Sequence, residues 1–372
     1  MKVPFFNYSH VYNQYNVEIE KLMLDISNRG VFILQDELKS FEVNLANYLN
    51  ANYSVGVGNC TDGLLLALNA ANIGNGDEVI FCSHTFVATA SAIHHSGATP
   101  IPAECGSDHL IDIKMVESVI SSKTKAIIPT QLNGQVCDMD SIIKICDKHN
   151  LILIEDAAQS LGAKYKGKTV GTFGLASSFS FYPAKNLGCF GDGGSVVTNE
   201  RKIYDEILLT RDHGRSKIGE VVKWGMNSRL DNLQAAILDF KLSKYSLEIK
   251  RRREIASLYQ TGLGQIFELN LPSAPNSDSS KYEVFQNYEI EVKKAKDREP
   301  LMNHLKKNGI GTILQWGGKA VHEFEGLGFK VSLPFTEDLM RRSFLLPMNT
   351  SLKNQQVKYT INEINKFFGY EK

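Results

Sequence analysis

The sequence predicts an α/β protein built on a mostly parallel sheet flanked by helices, and three observations carry that expectation. Leu151-Ile152-Leu153-Ile154 is a short, apolar, β-branched run that reads as a buried strand, with Glu155-Asp156 at its C-terminal end. Tyr53-Ser54-Val55-Gly56-Val57 alternates as a strand and passes through the small-residue turn Gly58 to Gly63 into a helix from Leu64 to Ala71. Two further strand-like runs, Ala98 to Pro102 and Ala126 to Pro129, flank a charged helical stretch around Met115 to Ile120, so strand and helix units accumulate in series. Ligands of such sheets bind beyond the carboxyl ends of the strands, where Glu155 and Asp156 fall.

The chain has 372 residues, room for two lobes at ~100–200 residues per domain. Lysine plus arginine equals aspartate plus glutamate at 41 each, so no global field favours nucleic acid or an anionic membrane, and an anionic ligand must be caught locally. Cysteines 60, 82, 105, 137, 146 and 189 show no C-x-x-C pair and no metal-finger spacing, and no signal peptide or long apolar span accompanies them. They read as reduced cysteines of a cytoplasmic protein.

Taken in order, Val17 to Ile26 has helical periodicity and ends at the glycine stop Asn28-Arg29-Gly30, and a second helix runs from Asp36 to Leu49. Gly76 to Phe81 is a turn and strand, and Ser83 to Ser96 a helix closed by Gly97. Asp138 caps the helix Ser141 to Lys148, after which the chain returns to the central strand. Phe179 to Tyr182 is an apolar run stopped by Pro183. Gly191-Asp192-Gly193-Gly194 leads into the strand Ser195-Val196-Val197 rather than from a strand into a helix, so it is a turn and not a dinucleotide fingerprint.

Leu233, Ala236, Ile237 and Phe240 recur at helical spacing and predict one long helix from Asp231 toward Leu258. Its basic run Lys250-Arg251-Arg252-Arg253 reads as a solvated face. The polar stretch 273–280 is linker-like, which places a large domain at residues 1–260 and a smaller α+β domain at 261–372. There, Val284 to Val292, Gly309 to Leu314 and Phe344 to Met348 read as strands, and Arg298 to Lys307 and Val357 to Phe368 as helices.

Asp156 at a strand end and Lys185 in the Gly-rich loop after Pro183 form the candidate chemical pair. Lysine forms Schiff bases with carbonyls, and an aspartate keeps a pyridine nitrogen protonated so that the ring acts as an electron sink, which together suggest pyridoxal 5'-phosphate. Singly, each has a plainer reading: the aspartate as a helix cap, the lysine as a solvated charge. The turn Cys60-Thr61-Asp62-Gly63 offers free backbone N–H groups and the Thr61 hydroxyl to an anion, with ordinary capping by Thr61 or Asp62 as the alternative. Cys60 reads better as a small packed residue than as a reactive one.

Glu155-Asp156-Ala157-Ala158-Gln159-Ser160, Gly162 to Lys168, Phe179-Ser180-Phe181-Tyr182-Pro183-Ala184-Lys185-Asn186-Leu187-Gly188 and Gly191-Asp192-Gly193-Gly194 resemble the DegT/DnrJ/EryC1/StrS nucleotide-sugar aminotransferases. The resemblance is dense from Val31 to Leu242 and thins toward Pro347. It implies a type I pyridoxal-phosphate transferase fold, a homodimer with shared active sites, and L-glutamate as amino donor. By the same resemblance Phe86 stacks on the pyridine ring, Gln159 meets the ring hydroxyl, and Thr61 and Ser180 meet the phosphate. Asn227 then reaches the partner's cofactor phosphate, and Arg229 the diphosphate of a sugar nucleotide. A core phenylalanine, a capping glutamine and a structural ion pair are the plainer readings of Phe86, Gln159 and Arg229.

The chain departs from the family pattern in three places. Cys60-Thr61-Asp62-Gly63 stands where Gly-Thr-Asp-Ala is usual, and Gln131 and Asn133 where a histidine and an aromatic are common. Gln315-Trp316-Gly317-Gly318-Lys319 replaces a histidine-tyrosine-proline segment, and Gln315 and Trp316 are expected to touch the sugar. The resemblance implies transamination of a nucleoside-diphosphate keto sugar, deoxy or N-acetyl, for lipopolysaccharide, other cell-surface polysaccharide or glycoside synthesis. Asn227-Ser228-Arg229-Leu230-Asp231 resembles members acting on 3-keto sugars more than those acting on 4-keto sugars. The alternatives are a keto-cyclitol aminotransferase and a non-catalytic regulatory homologue.

Overall fold

The computed structural model describes residues 1–370. Seven strands make the central sheet: β1 (Tyr53–Val57), β2 (Glu78–Cys82), β3 (Thr99–Ala103), β4 (Thr124–Ile128), β5 (Ile152–Asp156), β6 (Ala176–Ser180) and β7 (Gly194–Thr198). They lie in the order β1-β7-β6-β5-β4-β2-β3, and every pairing is parallel except those of β7, which runs against both β1 and β6. The two-residue period explains the layering. Ile80, Ile127, Leu153 and Val197 face one hydrophobic cluster, while Val79, Phe81, Ile128, Ile154 and Val196 face the other, so helices cover both sides.

A second, antiparallel sheet joins β8 (Leu269–Asn270), β9 (Tyr288–Val292) and β10 (Ser343–Leu346) in the order β8-β9-β10. Its cluster gathers Ile290, Phe344, Val357 and Ile361 with Ile255, Ala256, Tyr259 and Val3, so it takes in apolar residues from both sides of Gln260 and from the N-terminus. Among the described residues no helix is long and apolar enough to cross a membrane. All six cysteines are free and buried.

Three expectations fail for identifiable reasons. The long helix is two, Asn232–Leu242 and Tyr245–Leu263. At the break, Ser243 Oγ donates back to the Phe240 carbonyl at 2.7 Å, competing with the helical ladder. The first helix packs on Asp36–Leu49 and the second on Asn354–Phe368, so each follows its own packing partner. Gly309 to Leu314 forms no ladder; Ile310 bridges Val3 and Ile313 bridges Leu345, one residue each. Finally, the basic run is not a solvated face, although Lys250 is exposed. Arg252 is buried and its Nη1 donates to the carbonyls of Phe285, Gln286 and Met348 at 3.2, 3.0 and 2.7 Å, while Arg253 donates to that of Glu283 at 2.6 Å.

Arg252 thus closes three carbonyls that no other side chain serves in these bonds, and its stem packs inside. Replacing it by Met removes the donors and leaves those carbonyls unsatisfied, an expected loss of about 2–4 kcal/mol. Urea unfolding checks this: the midpoint of Arg252→Met falls while Lys250→Met stays near the wild type.

Candidate active site

β5 delivers Asp156 to the carboxyl edge of the sheet, where it is buried. Its Oδ2 accepts from Thr89 Oγ1 at 2.6 Å and its Oδ1 from the Ala158 N–H at 3.1 Å. Burial pushes this carboxyl up, and the bonds from Thr89 and Ala158 and the charge of Lys185 pull against that. Glu155 points to the other face and is already saturated. It accepts from the N–H groups of Gly171, Phe173 and Gly174 at 2.9, 2.8 and 3.3 Å and from Gln131 Nε2 at 3.1 Å, so it stitches a loop.

Lys185 sits in the connection between β6 and β7, whose ends pair at Ser180 and Gly194, so the loop leaves and re-enters the sheet at one place. Its N–H bonds the Tyr182 carbonyl at 2.8 Å. Gln286, from beyond the linker, brackets the residue: its Oε1 accepts from the Asn186 N–H and its Nε2 donates to the Ala184 carbonyl, both at 2.8 Å. Lys241 Nζ donates to the Gly188 carbonyl, and burial brings that amine down to about 8. Burial also lowers the Lys185 amine, opposed by its neighbours Cys60 and Asp156. The three groups therefore share one low-dielectric neighbourhood, beside a cleft lined by Lys185, Asn186, Lys241, Gln286 and Asn287.

The helix Cys60–Ala70 begins beside them. Its cap is Asn59, whose Oδ1 accepts from the Asp62 N–H at 2.8 Å, so neither Thr61 nor Asp62 caps it. Cys60 is buried, its carbonyl accepts from Ser178 Oγ at 3.0 Å, and burial pushes its thiol far up, as a packed cysteine requires. A Cβ on Gly63 would stand 2.2 Å from Ser178 Oγ, so the glycine that replaces the usual alanine makes room for that serine. Ser228 Oγ donates to Asp62 Oδ2 at 2.7 Å and accepts from the Gly58 N–H at 3.0 Å, tying the segment around Asn227 to this turn.

The remaining expected residues are placed as follows. Thr61 and Ser180 are half-buried, at the first turn of the helix and the end of β6. Phe86 is 55% exposed ahead of the helix Ala88–His95, so its ring is not core. Gln159 Oε1 accepts from the Asn133 N–H at 2.7 Å. Asn227 is exposed, and Arg229 Nη1 pairs with Asp212 at 2.8 Å, on an arm whose Ile218 and Trp224 are 81% and 97% exposed. Gln315 is buried and its Nε2 donates to Asn133 Oδ1 at 2.8 Å, while Trp316, at φ 48°, sets its ring 5.4 Å from His84. Thr89, Gln286 and Glu289 carry no local sequence signal of the site, whereas Asn133 is marked in the sequence by its departure from the family pattern.

These residues fit pyridoxal phosphate. A buried carboxyl that is costly to ionise alone is relieved by a cationic ring nitrogen, the nearby amine is held toward its neutral form, and a helix N-terminus with a hydroxyl in its first turn suits a phosphate.

The chain matches the model of the DegT/DnrJ/EryC1/StrS aminotransferase family over residues 13–365. It is 38% identical to a pleiotropic regulatory protein of Geobacillus stearothermophilus, covering 100% of both chains. It is 35% identical to the dTDP-3-amino-3,4,6-trideoxy-alpha-D-glucose transaminase of Streptomyces venezuelae, covering 98% of this chain and 96% of that one. The crystal structure of S. venezuelae DesV superimposes with a TM-score of 0.95 at 33% identity, over 100% of each chain.

In the cofactor-free protein the lowered Lys185 amine is neutral at a pH where a surface lysine is still charged. Its reaction with trinitrobenzenesulfonate is therefore expected to inflect below the ordinary lysine value of about 10.4. Because the Asp156 charge raises the amine, Asp156→Asn should move that inflection lower still. Peptide-resolved labelling across pH reads both shifts.

Proposed function

The chain belongs to the DegT/DnrJ/EryC1/StrS aminotransferase family, and from that premise we propose that it moves an amino group from L-glutamate to the keto group of a nucleoside-diphosphate sugar, at carbon 3. It is a transaminase of the pyridoxal 5'-phosphate-dependent kind. The observation that carries the reading is the placement of half-buried Lys185, in the loop between β6 and β7, beside the buried carboxyl of Asp156, near enough for each charge to act on the other. The 3-amino sugar in the name of the S. venezuelae relative supports carbon 3. We read the protein further as a cytoplasmic homodimer with shared sites, serving cell-surface polysaccharide or glycoside synthesis.

Bound pyridoxal phosphate supplies a carbonyl for a primary amine and an electron sink for the carbanion that deprotonation leaves. The residues supply the rest. Lys185 Nζ would remove the α-proton of the amino donor and, in the second half, deliver a proton to the sugar carbon that receives the amine; a positioned base of this kind contributes ~10²–10⁴-fold. An amine already held toward neutrality suits that role. Asp156 would hold a proton on the ring nitrogen, and the bonds from Thr89 and Ala158 fix its carboxylate for that role. Phe86, with its exposed ring, would stack on the pyridine, and Thr61, Ser180 and the first N–H groups of the helix Cys60–Ala70 would hold the phosphate. The arm bearing Asn227 and Arg229 projects its apolar tip outward, which suits delivery of both side chains to a partner subunit's site. Arg229 suits a diphosphate by its fork.

The regulatory alternative takes support from the name of the G. stearothermophilus relative. Lysine and aspartate are both kept here, at a cost in buried charge that a purely regulatory fold has no need to bear.

Purified protein incubated with glutamate and a panel of nucleoside-diphosphate 3-keto and 4-keto sugars should release 2-oxoglutarate with a 3-keto sugar. Absence of turnover with every sugar overturns the reading. Lys185→Ala should lower turnover by at least ~1,000-fold and abolish the cofactor adduct that borohydride fixes to the protein, read by mass spectrometry.

A further inference from the structure

Behind Asp156 lies a row of hydroxyls of which the chemistry above uses only the nearest. Thr85, Thr89 and Thr130 are 1%, 0% and 4% exposed, as buried as the carboxyl they stand beside. Thr85 and Thr89 come from the turn after β2 and the helix Ala88–His95, and Thr130 from just beyond β4. Backbone pairing fixes Thr130 next to Asp156, whose N–H donates to the Pro129 carbonyl at 3.1 Å and whose carbonyl accepts from the Gln131 N–H at 2.9 Å. Thr89 Oγ1 donates to Asp156 Oδ2 at 2.6 Å. Thr85 Oγ1 stands 3.3 Å from Thr89 Oγ1 and 2.9 Å from Thr130 Oγ1, so it links the other two.

A hydroxyl has one proton to give, and that fixes the order of the row. With the Thr89 proton committed to the carboxylate, its oxygen can only accept from Thr85. Thr85 then accepts from Thr130, and all three O–H dipoles point toward Asp156. Hydrogen bonds in such a series polarise one another. Apolar side chains would fill the same space without burying hydroxyls, and a carboxylate in need of donors accounts for the threonines. Burial pushes Asp156 up, and Thr89 and Thr130 both pull it down. The ionisable groups that face it are the Lys185 amine and the Cys60 thiol. Glu155 is bound on the opposite face, β6 brings no ionisable group, and the helix Ala88–His95 carries its two histidines at the far end.

We propose that Thr130, Thr85 and Thr89 form a one-way hydroxyl chain that keeps Asp156 an anionic acceptor, so that the site takes pyridoxal phosphate with its ring nitrogen protonated. This rests on the aminotransferase reading and deepens it, by naming what holds the carboxylate in the charged form that the electron sink requires. The three threonines are positioning residues that act through Asp156.

The first test needs no cofactor, because the Asp156 charge is felt by the Lys185 amine. Thr89→Val should move the Lys185 labelling inflection to lower pH, as Asp156→Asn does, and should move it no further when Asp156 is already Asn. Thr85→Val, which reaches the carboxylate only through Thr89, should act in the same direction by less, and Thr89→Ser should restore the wild-type inflection. A merely structural defect would shift the Asp156→Asn background as well. The second test compares calorimetric affinity for pyridoxal phosphate and for its deaza analogue, in which carbon replaces the ring nitrogen. Thr89→Val is expected to weaken the former by ~10–100-fold and to leave the latter near the wild type. If Thr89→Val does not fold, Thr89→Ala takes its place. An inflection unmoved by loss of the Thr89 hydroxyl, an equal fall in the Asp156→Asn background, or an equal loss of affinity for both compounds overturns the proposal alone. A wild type that binds no pyridoxal phosphate overturns the underlying reading and this proposal with it.

Discussion

The site depends on one topological constraint, the antiparallel strand β7 beside β6. β5 and β6 run parallel with Asp156 opposite Ser178, so both reach the same edge of the sheet. A parallel successor to β6 would need a long crossover carrying the chain away from that edge. β7 instead returns at once, and its first residue, Gly194, pairs with Ser180. The loop holding Lys185 is therefore confined above the strand ends, next to Asp156. Gly194 is also pressed on the start of the phosphate turn: a Cβ there would lie 2.5 Å from the Asn59 carbonyl carbon. Three chemical parts are thus drawn together by one strand direction.

Confinement sets the electrostatics as well as the geometry. An amine and a carboxyl withdrawn from water each favour their neutral forms, and their mutual attraction only partly reverses this. The opposed shifts leave the pair poised to take a cationic heterocycle on one side and to trade a proton on the other. A segment about a hundred residues on braces this arrangement. Gln286 brackets Lys185, and Gly134, at φ +83°, lets its loop approach so closely that a Cβ would sit 2.4 Å from the Gln286 nitrogen. The course of the Lys185 loop is in this sense a product of long-range packing.

The parts legible in the sequence were those with local signatures. Strand β5 and its acidic end, the turn into the helix at Cys60, and Lys185 after Pro183 all follow from short-range pattern, and the helix stop at Gly30 is the expected left-handed cap. The failures share a different cause. The break at Ser243-Lys244, the missing ladder at Gly309 to Leu314 and the burial of Arg252 each depend on which distant segment the chain packs against. Thr89, Gln286 and Glu289 escaped notice for the same reason, since a threonine in a helix or a glutamate in a strand has no local mark of its partner.

The departures from the family pattern show what contact adds to such a reading. In sequence, Asn133 in place of an aromatic and Gln315 in place of a histidine are two unrelated changes far apart. In space, the two side chains are hydrogen-bonded to each other at 2.8 Å. An aromatic ring at 133 could not serve as acceptor to Gln315 and donor to Glu289 at once, and a histidine at 315 would need a different neighbour. Together, the Gln315 amide N–H and the Asn133 amide oxygen pair with each other. The pair is one structural change, and Glu289 with its two histidines belongs to it because the Asn133 amide requires an acceptor on that side. Gly63 and Ser178 repeat the logic on a smaller scale, a lost methyl making space for a hydroxyl.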